Sequence, residues 1–353
     1  MTQTTAPSPR TVLIATNETH VSPAQIEAYE RLGFRVSKGL EKLFQSEQPY
    51  DVIHFYWPEE LTGWKIPTTE QIEEIRQRLE VLASRSRLIC EVHNIVPHED
   101  GNAAAFTALF EAFYETMHQI GHFSAYSHEA FVEKYPSAAS RQHIVHSPFN
   151  YLIASQRLPS REEARAELRL SPDDFAICLT GELRDPNEFT LAVKGFQKAT
   201  VGSKKWLPAF RLRQLKGLKG FHRIFAYRRI QFETGLLPAR YSIPDEKLHT
   251  LLRAADALLI PRMPPHLNSG LLYLGVECGT PIIAPDYGAF REYLGNTSNV
   301  LYKTGDATSL AAAIETMASR KSEEISQENS ALAATWTWDR ILSAHGIKSL
   351  EFS

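Results

Sequence analysis

The chain has 353 residues, with 38 Lys+Arg against 41 Asp+Glu, a formal net charge of −3 and 43% hydrophobic content. Its length exceeds one ordinary core and suits two domains of roughly 150 residues each. The near-neutral charge argues against a globally basic nucleic-acid binder, and the aromatic content of 10% excludes a disordered chain.

The first half alternates short apolar runs with helical periods. Thr11–Thr16 (TVLIAT) reads as a buried parallel strand, and Ala24–Arg31 as a helix. Asp51–Tyr56 is a second strand, Ile72–Ala83 a helix and Arg87–Val92 a third strand. Phe106–Phe123 repeats apolar residues near the helical period. His122–Tyr126 and His143–His146 are further strand candidates. The stretch Ser155–Ser171 is polar and reads as a linker.

Alternation then restarts. Phe175–Thr180 is a strand and Phe189–Thr200 a helix, while Phe210–Lys216 and Ile224–Phe232 read as strands. Asp245–Ala255 is a helix with Pro244 at its start. Ala257–Ile260 (ALLI) is a strand, Ser269–Cys278 a helix and Pro281–Ala284 a strand. Ala331–His345 closes the chain as an amphipathic stretch. The pattern is α/β, two doubly wound parallel sheets in series. The expected domains are 1–157 and 158–325, with a closing helix in 326–353.

Cys90, Cys178 and Cys278 are far apart and form no CxxC pair, which fits a reducing compartment. The N-terminus shows no secretory pattern, and the apolar runs fall well short of the roughly 20 residues of a membrane helix. The expectation is a cytoplasmic protein, soluble or at the inner face of the cell membrane. His118 and His122, with His143 and His146, lack the converging ligand spacing of a zinc site, so no metal is expected.

The richest segment is His266–Glu292. Asn268-Ser269-Gly270 opens an apolar helical run, and such a start offers free N–H groups and a dipole to an anion. Gly279-Thr280-Pro281 then turns into a strand whose carboxyl-end loop begins at Asp286. A second feature is a charge anomaly. No acidic residue stands between Glu188 and Glu233, while Lys194, Lys198, Arg211, Arg213, Arg228 and Arg229 are among the bases there, interleaved with aromatics. The plainest reading of this run is a solvated basic face; as a binding surface it suits phosphate of a donor or a lipid ahead of nucleic acid.

The segment His266–Glu292 resembles the donor-binding region of GT-B glycosyltransferases, in particular glycosyltransferase family 4 and its bacterial polysaccharide branch. Asp51–Glu60, Glu91–Glu99, Gly181–Asp185, Ile243–Arg262 and Trp336–Asp339 resemble that family's other segments in order. The resemblance implies two Rossmann-like domains facing a cleft. It implies a retaining, metal-independent transferase that moves a sugar from a UDP- or GDP-linked donor to a glycan or lipid-linked acceptor hydroxyl, in polysaccharide or glycolipid assembly. No cofactor is implied beyond the nucleotide sugar, and contact with an anionic membrane is an expectation.

By resemblance, Asn268, Ser269 and Gly270 serve the diphosphate, with Arg184 adding positive charge. His93 and Glu99 are catalytic candidates; Asn94 and Tyr56 are acceptor-side. The departures are specific. Asn187 stands where the family commonly has a lysine, and His266 and Leu274 occupy the positions of its two spaced glutamates. Glu277, three residues after Leu274, is the candidate for the ribose contact. These departures motivate an alternative, a non-catalytic partner or scaffold subunit; a third reading is a GT-B-like epimerase or phosphorylase.

Overall fold

The computed structural model describes residues 10–17, 21–45, 50–96, 103–149, 157–215, 217–264 and 266–349. The chain divides into two units. One comprises Met1–Phe149 together with Trp336–Ser353, and the other Asn150–Thr335. These divisions fall at 149/150 and 335/336, where the sequence expectation set 157/158 and 325/326, and the chain's last segment belongs with the first unit.

The first unit holds a six-stranded sheet in the order β2-β1-β3-β4-β5-β6, parallel throughout. Its strands are β1 (Arg10–Ala15), β2 (Phe34–Lys38), β3 (Val52–Phe55), β4 (Arg87–Glu91), β5 (Gln119–His122) and β6 (Gln142–Val145). Its helices are α1 (Pro23–Arg31), α2 (Lys42–Gln45), α3 (Thr69–Ala83), α4 (Ala103–Tyr114) and α5 (Ala125–Lys134). The central strands β3, β4 and β5 run buried almost end to end, because helices cover both faces of a parallel sheet. Thr68 and Gln71 close a capping box that fixes the start of α3.

The second unit holds a five-stranded parallel sheet in the order β11-β10-β9-β7-β8. It runs through α6 (Arg161–Glu167), β7 (Asp174–Leu183), α7 (Pro186–Lys198), β8 (Ser203–Leu212), α8 (Gly220–Thr234) and α9 (Asp245–Ala254). Then follow β9 (Ala257–Leu259), α10 (Gly270–Glu277), β10 (Ile282–Pro285), α11 (Gly288–Leu294), β11 (Val300–Tyr302), α12 (Ala307–Ala318) and α13 (Ser322–Ala333). Pro208 lies in β8, an edge strand, where a missing N–H costs least. The core joins Ile177, Leu179, Phe210, Leu259, Ile283 and Ile314.

The chain then returns to the first unit as α14 (Trp338–Ala344). Trp338, Ile341 and Leu342 pack with Val12, Ile14, Tyr29 and Ile89. At the rim Arg31 reaches Asp339 at 2.6 Å.

Five sequence expectations are corrected. The helix expected over Phe106–Phe123 ends at Tyr114, and Gln119–His122 is strand, so His118 and His122 do not share a helical face. The strand expected over His122–Tyr126 stops at His122, because Ser124 caps α5 by accepting from the Ser127 N–H. The strand expected over Ile224–Phe232 is the middle of α8, which Gly235 terminates in the left-handed region at φ 72°. The polar linker contains α6, held to the sheet by Arg161 and Arg165 on Asp256 at 2.5 and 3.0 Å. β8 ends at Leu212, short of the expected Lys216, which lies outside the described residues.

Candidate functional site

In each sheet the chain leaves its first strand to one side and continues on the other, creating a switch point. Open α/β sheets bind ligands beyond the carboxyl ends of strands at such a point. In the first unit it lies between β1 and β3, and in the second between β7 and β9.

In the second unit, loops after β7, β8 and β9 bring charge together. Arg262 follows β9 and is buried; its guanidinium donates to the Glu188 carboxylate at 3.0 Å and to the Glu182 carbonyl at 2.7 Å. Glu188, buried in the first turn of α7, also accepts from the Arg184 backbone N–H at 2.8 Å. Arg211 and Arg213 reach the Glu182 carboxylate at 3.3 and 3.4 Å. Arg184 stands exposed at the rim, where partial burial of its charge and then Arg262 and Arg213 lower its pKa. Four guanidiniums thus share two carboxylates, and the excess is positive. Such a cluster answers an anion.

The same cluster governs His266. Burial first, then Arg262 and Arg184, push its imidazole down to about 3. His266 is therefore neutral in ordinary buffer and acts as a hydrogen-bonding group, where the resembling family has a carboxylate.

Next in the chain, Ser269 caps α10 by accepting from the Leu272 N–H at 3.3 Å. Asn268 accepts from the Tyr273 hydroxyl at 3.2 Å, while Gly270 is exposed at the first helical position. Gly181, at φ 83°, lets the end of β7 approach this helix; a Cβ there would meet Leu271 Cδ1 at 2.8 Å. Asn187 is exposed one position into α7, its N–H held by Asp185. Glu277 ends α10 and lies about 10 Å along the axis from Gly270.

In the first unit, His93 follows β4 and is half-buried in an aromatic setting. Its ring lies 4.6 Å from Trp57, 5.2 Å from Tyr56 and 5.1 Å from Phe123. Tyr56 is buried and its hydroxyl donates to Gln25 at 2.7 Å. Asn94 donates to buried Glu59 at 3.1 Å, and neighbouring Glu60 accepts from Thr16 at 2.6 Å. Loops after β1, β3 and β4 are thereby tied together around His93 and Tyr56. Glu99 lies outside the described residues.

Beneath His93 is a polar network the sequence did not announce. Glu91, the last residue of β4, is fully buried. Its Oε2 meets His146 Nε2 at 2.8 Å, and its Oε1 meets His345 Nε2 at 3.0 Å and His54 Nε2 at 3.2 Å. Burial would raise the Glu91 pKa, but the charges and hydrogen bonds of His146 and His345 hold it well below the usual range. His146 moves the other way; burial opposes its protonation and Glu91 overcomes that, raising its pKa. His54 is pushed down, chiefly by burial.

His54 Nδ1 lies 3.1 Å from the Gln25 amide nitrogen and 2.9 Å from the Tyr29 hydroxyl, and its Nε2 lies 3.2 Å from Glu91 Oε1. His146 Nδ1 donates to the Ser147 carbonyl at 2.8 Å, so a second proton on Nε2 makes it the imidazolium that faces the carboxylate. A Cβ at Gly121 would land on the Glu91 carboxylate and 2.8 Å from His146 Nε2, so only glycine leaves room for the pair. Glu91, His146 and His345 also have the donor set and spacing to hold a metal ion, with ligand atoms within 4.8 Å of one another. His122 and His143 meet separately at 2.9 Å.

The basic run divides among three places. Arg211 and Arg213 join the charge cluster. Lys194 and Lys198 line an open depression with Lys303 beside α12, whose first N–H groups Asp306 already engages. Arg223, Arg228 and Arg229 belong to α8.

Arg262 and Glu188 escaped the sequence reading as site residues. For Arg262 the available signal was a charge in the loop that follows the apolar strand Ala257–Leu259. Comparison with known proteins supplies the fold. No family model and no curated protein matches the chain. Among solved structures it is similar to a sucrose-phosphate synthase from Thermosynechococcus elongatus, at 16% identity over 96% of this chain and 98% of that one, with a TM-score of 0.65. It is also similar to Anabaena HepE in complex with UDP and glucose, at 14% identity over 97% and 100%, TM-score 0.65. A glycosyltransferase from Rickettsia africae ESF-5 aligns at 11% identity over 96% and 98%, TM-score 0.64. The fold is that of the GT-B glycosyltransferases, two Rossmann-like units each built on a parallel sheet.

Proposed function

We propose that the protein is a glycosyltransferase that moves a sugar from a nucleoside diphosphate donor to an acceptor hydroxyl. The observation that carries the reading is the cationic cluster of Arg184, Arg211, Arg213 and Arg262 at the switch point of the second sheet. A leaving diphosphate gains negative charge in the transition state, and fixed cations with backbone N–H groups stabilise it. Ser269 and Gly270 offer the N–H groups, Arg184 the accessible cation, and neutral His266 a hydrogen bond to the donor. HepE, similar in fold, was solved with UDP and glucose, which supports a UDP-linked donor here.

In this reading His93, packed by Tyr56, Trp57 and Phe123, presents one imidazole edge to the sugar or acceptor, with Asn94 beside it. Transfer retains anomeric configuration, needs no metal, and serves polysaccharide or glycolipid assembly on a lipid-linked acceptor at a membrane surface. Membership of glycosyltransferase family 4 is part of the same proposal. The test is a donor screen with UDP- and GDP-sugars, reading nucleotide release and the anomeric configuration of the product by NMR. Net transfer or slow hydrolysis of one donor supports the proposal.

A second reading rests on Asn187, His266 and Leu274, which replace charged positions of the resembling family. It makes the chain a binding subunit without turnover. Nucleotide binding with no sugar transfer from any donor would favour it. Conversion of one nucleotide sugar into its epimer, without acceptor and without net nucleotide release, would favour an epimerase.

A further inference from the structure

A helix on the surface of a water-soluble unit buries one face and shows a polar one. Helix α8 does not. Its inner face packs Ala226, Tyr227 and Ile230 onto the core of the second unit. Its outer face carries Phe221, Ile224, Phe225, Arg228 and Phe232, which at helical spacing fall within about 100° of arc. These side chains are open to solvent: Phe221 at 76%, Phe225 at 61% and Phe232 at 93%. Leu237 and Tyr241, just beyond the helix, extend the exposed apolar surface.

The flanking charge is one-sided. From Phe189 to Ser242 the only acidic residue is Glu233, and Arg229 neutralises it at 2.7 Å. Lys219 precedes the helix and Arg228 lies on its outer face, while Arg223 and Arg240 stack over the ring of inner-face Tyr227 at 5.9 and 5.8 Å. Three exposed phenylalanines on one helix face, with the Arg228 guanidinium among them, match a layer with anionic oxygens above hydrocarbon. A second copy is a poorer occupant, because a two-fold contact through this face would set Arg228 against Arg228.

We infer that the outer face of α8 is a membrane-docking surface that inserts Phe221, Phe225 and Phe232 at the acyl boundary of an anionic bilayer while Arg228 and its neighbours engage headgroup phosphates. The surface goes beyond the transfer reaction and depends on no step of it.

The experiment is co-sedimentation of the full chain with vesicles of phosphatidylcholine alone or mixed 3:1 with phosphatidylglycerol, at about 0.1 M salt. Wild type is expected to sediment with the anionic vesicles only. F221E/F225E/F232E should lower the bound fraction at least about tenfold while keeping the wild-type thermal melt, because the rings lie outside the core. R228Q/R229Q keeps the phenylalanines and should also bind more weakly; it gives the answer even if the triple variant fails to fold. Wild type remaining in the supernatant would overturn the inference, as would unchanged binding by both variants. A dimer in solution that the triple variant abolishes would overturn it in favour of a protein contact. Because vesicle binding is read without donor or acceptor, failure here leaves the glycosyl-transfer reading to its own test.

Discussion

Glu91 and His345, 254 positions apart in sequence, meet at 3.0 Å, and neither side chain reaches solvent. One ends a central strand of the first unit and the other follows the last helix, so the contact pins the returning C-terminal segment beneath the loop that carries His93. Removing the imidazole leaves the buried Glu91 carboxylate one hydrogen bond short, at a cost of about 1–3 kcal/mol. H345A is therefore expected to lower the urea midpoint of the first unit's transition by that order. Separate probes for the two units, such as Trp338 fluorescence for the first, would localise the loss.

Gly121 supports the same cage. G121A puts a methyl group on the Glu91 carboxylate and is expected to cost at least the roughly 1–3 kcal/mol of an overpacked core, measurable by denaturant unfolding. An unchanged midpoint would mean the carboxylate has room the geometry denies it.

The pH response follows from the directions of the shifts. Glu91 is depressed in the fold, so its contribution is present above its unfolded pKa of about 4.3 and is lost as pH falls through the folded value. His146 is raised, so its contribution is full below about 6.5 and is lost as pH rises through its folded value. The pair contributes most between those limits. The stability gap between wild type and H146Q should be widest near pH 5–6 and should narrow toward alkaline pH. His122 and His266 act oppositely. Each is held down to about 3, so each favours the folded state above about 6.5 and loses that contribution as pH falls toward 3.

Arg184 and Arg262 should separate binding from folding. R184Q removes the exposed cation and is expected to weaken UDP or GDP binding by about tenfold, with little change in melting temperature. R262Q leaves Glu188 buried without its cation and should also destabilise the second unit, by about 3–5 kcal/mol. Calorimetry and thermal melts on both variants check the pattern.

Much of the architecture could be read before the structure, because buried parallel strands such as VLIA and ALLI show as short apolar runs between helical periods. The misreadings have physical causes. Ile224–Phe232 is rich in aromatics and β-branched residues and mimics a strand, yet the helix is set by tertiary packing of Tyr227 and Ile230 and by Gly235 at its end. Phe34–Lys38, a half-exposed edge strand with two basic residues, shows no apolar run and went unread. At the site, the helix start at Ser269 was visible as local capping chemistry. The Glu91 cage was not, since Gln25, His54, His146 and His345 converge only through the fold. Arg262 was legible as a position but not as the partner of Glu188, which lies on another loop.

Ser269→Asp decides whether a nucleoside diphosphate binds at the start of α10. Aspartate is as good a helix cap as serine, so the fold should persist while a negative charge occupies the phosphate position. Titration calorimetry of wild type with UDP and with GDP should give binding to at least one, and S269D should lose it by at least about a hundredfold with an unchanged melting temperature. Wild type binding neither nucleotide, or S269D binding as tightly as wild type, would contradict the account.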